Sequence, residues 1–209
     1  MARLLHVVGS PRGERSASVE VAEAYIAAYQ GRHPGAAIDT LDLWREPLPE
    51  FDRPALEAKY AGLAGVERSA EQNRAWDGIR ALAQRFHDAD VVVFSIPMWN
   101  FGIPYKLKHL IDYISQKDVL FRFDASGFEG MLKGKKAIVV CARGISYATG
   151  TSTPEAEYDF QKAFMLLWLR FIGITDAETI VVEQTLMGPD ADRQARQQGI
   201  ERARALAQG

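Results

Sequence analysis

The sequence has little cysteine, no long apolar run and no excess of one charge. The single cysteine, Cys141, excludes an intramolecular disulfide framework and is typical of a reducing compartment. The apolar run at residues 4–8 is too short for the core of a signal peptide or for a membrane span. With 25 basic and 27 acidic residues, the net charge of -2 leaves no basic footprint for nucleic acid or for an anionic membrane. We therefore expect a soluble cytoplasmic protein without a nucleic-acid or membrane partner.

Size and composition are those of an ordinary globular domain. The chain has 209 residues, 47% of them hydrophobic and 25% charged, which is enough for one full core. Neither a repeat nor a low-complexity linker divides it, so residues 1–209 are expected to form a single domain. The four histidines (His6, His33, His87 and His109) lack metal-ligand spacing, and no metal site is expected.

Strand and helix patterns alternate along the whole chain. Strands are predicted at residues 4–8, 37–43, 91–96, 136–141 and 179–182. Helices are predicted at residues 16–29, 70–88, 160–172 and 190–207, with another after Pro104, and residues 44–69 are predicted to be loop with room for a short helix. The alternation predicts an α/β fold, a doubly wound five-stranded parallel sheet with helices on both faces. In the flavodoxin-like strand order 2-1-3-4-5, the loops after strands one and three face a common crevice at the topological switch point.

The loop after strand one is rich in hydroxyl and guanidinium groups. Ser10 lies in the loop, and Ser16 and Ser18 lie at the start of the next helix, whose N-terminal N–H groups favour an anion. Arg12 or Arg15 would neutralise a phosphate there. This loop alone supports two interpretations about equally: a phosphate site, or a helix capped by Ser16 beside solvated arginines. Because the dinucleotide fingerprint and the P-loop motif are both absent, a phosphate monoester on a smaller ligand is favoured.

The loop after strand three, residues 97–108, has the composition of a binding loop for a flat ring. Met98, Trp99 and Phe101 supply apolar surface, and Asn100 supplies paired donor and acceptor groups. The backbone N–H groups of a tight turn here would address N5 of a flavin, and Asn100 would address its polar edge. The competing interpretation places the three apolar side chains in the core at a strand end, which their grouping around an asparagine disfavours.

The loop after strand four contains Arg143 and Gly144. Gly144 permits a sharp backbone turn, and Arg143 is a candidate to stabilise an anionic reduced ring. An ordinary flexible loop with an exposed arginine is about equally compatible with the sequence. Cys141, at the end of the same strand, is interpreted as a buried small hydrophobe rather than a redox thiol.

These loops together resemble those of a known family. The segment Pro97-Met98-x-Asn100-Phe101-x-x-Pro104-x-x-Leu107-Lys108 is similar to the signature of the FMN-dependent NADH-azoreductases, within the flavodoxin-like NAD(P)H:quinone oxidoreductases. Ser10 and Ser16-Ala17-Ser18 resemble that family's FMN phosphate loop, and the likeness continues in the same order along nearly the whole chain. The resemblance implies FMN contacts at Ser10, Ser16, Ala17, Ser18, Pro97, Met98, Trp99, Asn100, Phe101, Arg143 and Gly144.

The resemblance also implies a reaction and an assembly. One FMN per subunit would take a hydride from NADH at flavin N5 and then reduce quinones or aromatic azo compounds, by ping-pong two-electron transfer. No side chain acts as a nucleophile in this interpretation. The family is homodimeric with active sites at the subunit interface. Aromatic residues would line the stacking slot, some of them from the partner subunit: Trp99, Phe101, Phe121 and Phe123.

The chain departs from the family pattern at two places. The family commonly has Ser-Arg-Gly-Gly after strand four, where this chain has Ala142-Arg143-Gly144-Ile145, and Trp99 stands where tyrosine is frequent. These differences bear on substrate range, and the sequence leaves open the physiological acceptor and the choice between NADH and NADPH. An alternative function is that of an FMN-binding electron carrier or redox sensor without small-molecule turnover. Carriers are usually strongly acidic, and a net charge of -2 disfavours one.

Overall fold

A five-stranded parallel sheet forms the centre of the protein in our computed structural model, which describes residues 2–209. The strands are β1 (Arg3–Val8), β2 (Ala37–Asp42), β3 (Val91–Pro97), β4 (Phe121–Asp124), β5 (Gly127–Gly130), β6 (Lys136–Ala142) and β7 (Asp176–Val182). The sheet has the order β2-β1-β3-β6-β7, and β4 and β5 form a separate antiparallel pair. Counting only the strands of the sheet, this order is 2-1-3-4-5, so the predicted flavodoxin-like topology is confirmed.

Helices lie on both faces of this sheet, as predicted. They are α1 (Ala17–Arg32), α2 (Arg53–Ala64), α3 (Ala70–Asp88), α4 (Tyr105–Ile114), α5 (Glu155–Tyr158), α6 (Phe160–Ile172) and α7 (Pro189–Leu206). Side chains of α1 and α7, such as Tyr25 and Ala203, form one core with the sheet. Side chains of α2, α3, α4 and α6, such as Phe86 and Trp168, form a second core on the opposite face. Among residues 2–209, no helix combines the length and the apolar character needed to cross a membrane.

The burial of each strand follows from its place in the sheet. β3 lies between β1 and β6 and is buried over residues 91–96. Val93 faces the core of α1 and α7, whereas Phe94 faces the opposite core, as the alternation of side chains along a strand requires. β7 lies at an edge and begins at Asp176, earlier than predicted. Asp176 and Glu178 interrupt its apolar pattern, so only its second half was apparent in the sequence.

The stretch 44–69 contains a longer helix than predicted, because α2 covers 12 residues. Asp52 caps its start by accepting a hydrogen bond from the Ala55 N–H at 3.2 Å. Pro54 lies in the first turn, where its missing N–H is not needed. Gly65 ends the helix in the left-handed conformation, with φ 67°. The proline and the glycine therefore mark the two ends of a helix rather than a continuous loop.

The hairpin of β4 and β5 is a feature that the strand pattern does not predict. Phe121 pairs with Gly130, and Phe123 pairs with Phe128. The hairpin packs against the C-terminal end of α6, where a Cβ at Gly130 would overlap the backbone of Gly173. Each strand has only four residues, which is too short for alternation of apolar and polar positions to be recognised.

Candidate functional site

The loops after β1, β3 and β6 begin at the same edge of the sheet. The N–H of Gly9, the first residue after β1, donates to the Ser95 carbonyl of β3 at 2.9 Å. The N–H of Met98, the first residue after β3, donates to the Ala142 carbonyl at the end of β6 at 2.8 Å. Because parallel strands end at one edge, each of these loops starts beside a neighbouring strand. The crevice predicted between the first two loops therefore lies between β1 and β3.

The first turn of α1 has free hydrogen-bond donors. Ser16 precedes the helix, but its side chain makes no capping hydrogen bond. Its hydroxyl lies 3.1 Å from the Ser18 hydroxyl, and both side chains are buried, as is Ser10. Within residues 2–209, no protein acceptor takes the N–H groups of Ala17, Ser18 or Val19. The interpretation of Ser16 as a simple helix cap is therefore wrong.

This donor set fits a phosphate group. The free N–H groups at a helix start carry partial positive charge, and the neighbouring hydroxyls can rotate to donate to the same anion. Buried N–H groups without an acceptor destabilise the folded protein, so a bound anion that accepts their hydrogen bonds is favoured. Arg12 and Arg15 are exposed on the same loop and add positive potential at its entrance. The loop therefore suits a phosphate monoester such as the one that ends FMN.

The loop after β3 contains a tight, strained turn. The Trp99 N–H donates to the Gly102 carbonyl at 3.0 Å, and the Gly102 N–H donates back to the Trp99 carbonyl at 2.9 Å. Between them, Asn100 and Phe101 both have positive φ, 48° and 68°. Asparagine adopts this left-handed conformation readily, whereas for phenylalanine the cost is roughly 1–2 kcal/mol. Strain of this kind concentrates at functional sites, which supports a binding role for the turn.

The side chains of this turn lie outside the core. Pro97, Met98 and Trp99 are half-buried, and Phe101 is 42% exposed. The interpretation of these residues as core packing at a strand end is therefore wrong. The exposed Asn100 and the half-buried apolar groups beside it form a surface on which a planar ring can rest.

Arg143 is buried and surrounded by carboxylates. Its guanidinium pairs with Asp159 and, at 3.2 Å, with Glu183, and it lies 5.2 Å from the ring centroid of Tyr147. The alternative of an exposed arginine on a flexible loop is therefore wrong. Asp159 and Glu183 offset much of the positive charge of the guanidinium. A cofactor contact at Arg143 stays a prediction.

Gly144 lies in a bend of the backbone, next to the side chain of Leu186. Its backbone lies outside the left-handed region that favours glycine. A Cβ at this position would lie 2.7 Å from the Cδ1 atom of Leu186, an exposed side chain. The Leu186 N–H donates to the Gly144 carbonyl at 3.0 Å, and the Thr185 N–H donates to the Arg143 carbonyl at 3.1 Å. The segment after β7 therefore packs directly against the loop after β6, a contact that the sequence does not reveal.

The four predicted slot residues fall into two separate places. The Phe101 carbonyl accepts a hydrogen bond from the Phe160 N–H at 3.0 Å, at the start of α6. Phe121 packs on Phe171 at the other end of α6, with ring centroids 4.7 Å apart, and Phe123 follows in the same hairpin. α6 has 13 residues, and at a rise of about 1.5 Å each it is about 20 Å long. Within one chain, the hairpin is therefore too distant to share a slot with the turn after β3, and a common slot requires a second subunit.

Two aromatic residues that no sequence pattern singles out also belong to the site. The Trp44 indole N–H donates to the Gly9 carbonyl at 3.1 Å, and its ring lies 5.7 Å from that of Trp99. Tyr105 packs edge-on against the same indole, also at 5.7 Å. Trp44 follows β2 in a proline-containing stretch that was predicted to be loop. Only the aromatic ring of Trp44 could have pointed to a binding role in the sequence. Trp99 and Tyr105 line a cleft of about 640 Å³ together with Phe51, Asn100 and His109.

The topology and the site define a class of protein. A doubly wound parallel sheet carries free helix N-terminal donors beside an aromatic turn, at the point where the strand order reverses. This is the arrangement of flavodoxin-like proteins that bind a phosphorylated planar ligand. The chain belongs to the flavodoxin-like fold family, whose sequence model matches residues 2–207.

Named relatives cover the whole length of the chain. A protein of Burkholderia lata named FMN-dependent NADH:quinone oxidoreductase 9 is 51% identical over 208 residues, covering 99% of each chain. A protein of Pseudomonas fluorescens named FMN-dependent NADH:quinone oxidoreductase 3 is 47% identical over 209 residues, covering 100% of this chain and 97% of the relative. The crystal structure of an azoreductase from Bacillus anthracis matches with a TM-score of 0.88 and 30% identity, over 99% of each chain. The family resemblance predicted from the motifs is therefore confirmed.

Proposed function

We propose that this protein is an FMN-dependent NADH:quinone oxidoreductase that also cleaves aromatic azo compounds reductively. The observation that carries the proposal is the placement of the free donors of α1 beside the aromatic turn after β3, at the switch point of the sheet. Two relatives about half identical are named for the quinone reaction. The likeness to an azoreductase supports the azo substrates.

FMN suits both parts of this site. Its phosphate would be held by the N–H groups of residues 17–19 and by the hydroxyls of Ser10 and Ser16. Its ring would rest on residues 97–101, with the backbone of residues 142–144 at another edge. When bound, FMN supplies a two-electron carrier that accepts hydride from NADH and reduces a quinone or an azo bond.

The protein's own side chains bind and orient rather than react. Asn100 offers an amide donor and an amide acceptor to the polar edge of a ring. Trp99 and Tyr105 border a cleft in which a second planar molecule can stack. Cys141 is not a nucleophile, because burial raises the pKa of its thiol to about 12.

Steady-state turnover with a simple quinone tests this function. We expect the FMN-loaded protein to oxidise NADH with a benzoquinone or an azo dye when no partner protein is present. An electron carrier or a redox sensor would bind FMN without such turnover, so the same assay separates the alternative. Parallel reactions with NADPH determine the donor preference. Protein that stays colourless after incubation with FMN would contradict the cofactor assignment.

Two variants of Asn100 separate its side chain from its backbone. Asn100→Ala removes the amide and also strains the turn, whereas Asn100→Gly removes the amide but suits the φ of 48°. If the amide orients the ring, both variants lose at least about tenfold in NADH-dependent quinone reduction. Full activity in Asn100→Gly would show that the turn conformation matters and the amide does not.

We also propose a homodimer whose active sites contain aromatic residues from both subunits. An apolar cleft of about 490 Å³ beside the turn after β3 is lined by Gly102, Ile103, Lys108, Phe160, Ala163, Phe164 and Leu167. On α6, Phe160 is 64% exposed and Leu167 is 57% exposed, although Met165 and Leu169 are buried in the chain's own core. Exposed apolar surface of this kind is typical of an interface. A partner there would supply the hairpin aromatics that one chain cannot bring to its own site.

The oligomeric state of two matched variants tests the dimer. Leu167→Asp places a charge in the proposed interface, and we expect it to elute as a monomer with reduced quinone turnover. Leu56→Asp places the same charge on α2, where the side chain is 41% exposed, and should remain dimeric. Size-exclusion chromatography with light scattering measures both. A wild-type monomer with full activity would contradict the proposal.

We further propose that residues 1–209 form one cytoplasmic domain. α7 packs against α1, so the C-terminal helix completes a core that the N-terminal part of the chain begins. NADH, the proposed donor, is supplied by intracellular metabolism. We expect a single unfolding transition that coincides for two spectroscopic probes, and recovery of the protein in the cytoplasmic fraction of cells.

A further inference from the structure

A small cleft away from the flavin site is lined by unpaired cations. It has a volume of about 120 Å³ and lies between α2, α3 and the segment after α4. Lys59, Arg68, Arg80 and Lys117 line it. Within residues 2–209, none of these side chains forms an ion pair. Asp118 is the acidic residue in the lining of this cleft, so the charge there is strongly positive.

Arg68 is held in one position in this cleft. Its Nε donates to the Ala58 carbonyl at 2.7 Å, and its guanidinium lies 4.4 Å above the centre of the Trp76 ring. Gly62 leaves the space that the guanidinium fills, because a Cβ there would overlap the Arg68 Nη2 atom. The charged end of Arg68 is therefore held by the Ala58 carbonyl and the Trp76 ring, and neither group neutralises it.

The charges around the cleft repel one another. Burial lowers the pKa of Arg68, the positive charge of Arg80 lowers it further, and the charge of Asp77 opposes these effects. Lys59 and Lys117 are half-buried, which reduces the screening of their charges by water. The chain as a whole has a net charge of -2, so composition alone does not account for the cluster. A bound anion would remove the repulsion.

We propose that this cleft binds a small oxyanion, either inorganic phosphate or the terminal phosphate of a monoester. About 120 Å³ accommodates one tetrahedral group and is too small for an additional ring. Guanidinium and ammonium groups are the usual partners of phosphate in proteins. The cleft lies on the face of the sheet covered by α2 and α3, whereas the proposed FMN phosphate loop begins α1 on the other face. The two anion sites are therefore distinct, and this inference does not depend on the proposed activity.

Calorimetric titration with sodium phosphate at constant ionic strength tests the site. The protein is first loaded with FMN, so that the phosphate loop of α1 is occupied. We expect saturable binding, and Arg80→Gln and Lys117→Gln should each raise the Kd at least about tenfold, because each removes a charged donor. Asp118→Asn should lower the Kd by about threefold, because it removes a repelling charge and asparagine tolerates the φ of 62°.

A matched control and a second ligand complete the experiment. Arg204→Gln changes the net charge equally on an exposed part of α7, and should leave the Kd within about twofold. NADH:quinone turnover should be unchanged in all four variants, which separates this site from the proposed function. Binding of AMP as strong as that of phosphate would identify a monoester as an acceptable ligand, whereas binding of phosphate alone would identify the free anion. Absence of saturable binding, or equal weakening by Arg204→Gln and Arg80→Gln, would overturn the proposal.

Discussion

His6 makes the folded protein sensitive to acid. It lies in β1 with 4% of its surface exposed, and its Nε2 atom is 3.0 Å from the Ser95 hydroxyl of β3. Burial lowers the pKa of His6 from its ordinary value of 6.5 to about 4, against the opposing charge of Asp42. The folded protein therefore keeps a neutral imidazole at a pH where the unfolded chain has already taken up a proton.

The sign and the size of the effect follow from proton linkage. Since the unfolded chain binds more protons than the folded protein between pH 6.5 and about pH 4, stability present above that window is lost as the pH falls through it. The lowering of the His6 pKa from 6.5 to about 4 corresponds to about 3 kcal/mol in the free energy of unfolding, over the whole pH window. When the pH falls from about 7.5 to about 5, the same linkage lowers the free energy of unfolding by about 2 kcal/mol.

Urea unfolding at these two pH values measures the loss, with both proteins saturated with FMN. His6→Gln keeps a polar side chain but cannot titrate. The variant retains His33, His87 and His109, so the difference between the two proteins isolates His6. We expect the wild type to lose about 2 kcal/mol more than the variant on acidification. An equal loss in both proteins would refute the reasoning.

Three further predictions concern the site. Ser18→Ala removes a buried hydroxyl from the phosphate loop, and should weaken FMN binding about tenfold in a fluorescence titration without lowering the melting temperature of the apoprotein. Asp159→Ala leaves Arg143 partly unpaired in the interior, and should lower the free energy of unfolding in urea by about 3 kcal/mol. Phe101→Gly should be more stable than Phe101→Ala by about 1 kcal/mol, because φ there is 68°; a more stable alanine variant would contradict the strain.

Most of the fold could be predicted because buried parallel strands and amphipathic helices have distinct periods. β3 and β6 are nearly continuous apolar runs, and α6 was predicted with its observed bounds because its sequence is strongly apolar. The hairpin of β4 and β5 was missed because its stability depends on packing against α6, which no local pattern records. α2 was underestimated because Pro54 was interpreted as a loop residue rather than as the first turn of a helix.

The features of the site that could be predicted are those formed by residues close together in the sequence. The donors after Ser16 arise from a helix start, and the turn at Asn100 arises from residues adjacent in sequence. The burial of Arg143 and the contact of Gly144 with Leu186 could not be predicted, because their surroundings come from distant parts of the chain. Glu183, 40 residues further on, pairs with the arginine, and the side chain that occupies the space at Gly144 comes from the same segment after β7.

The buried charge of Arg143 has a consequence for the ring site. Asp159 pairs with it and also caps α6, by accepting a hydrogen bond from the Lys162 N–H at 2.8 Å. The next residue, Phe160, donates its N–H to the Phe101 carbonyl at 3.0 Å. The ion pair therefore positions the start of α6, and the start of α6 holds the turn after β3. A buried ion pair adds little net stability, but breaking it is costly, so it restricts the chain to one geometry. Because Phe101 is strained in the left-handed conformation, we infer that this restraint keeps the turn in the shape that a flat ring requires.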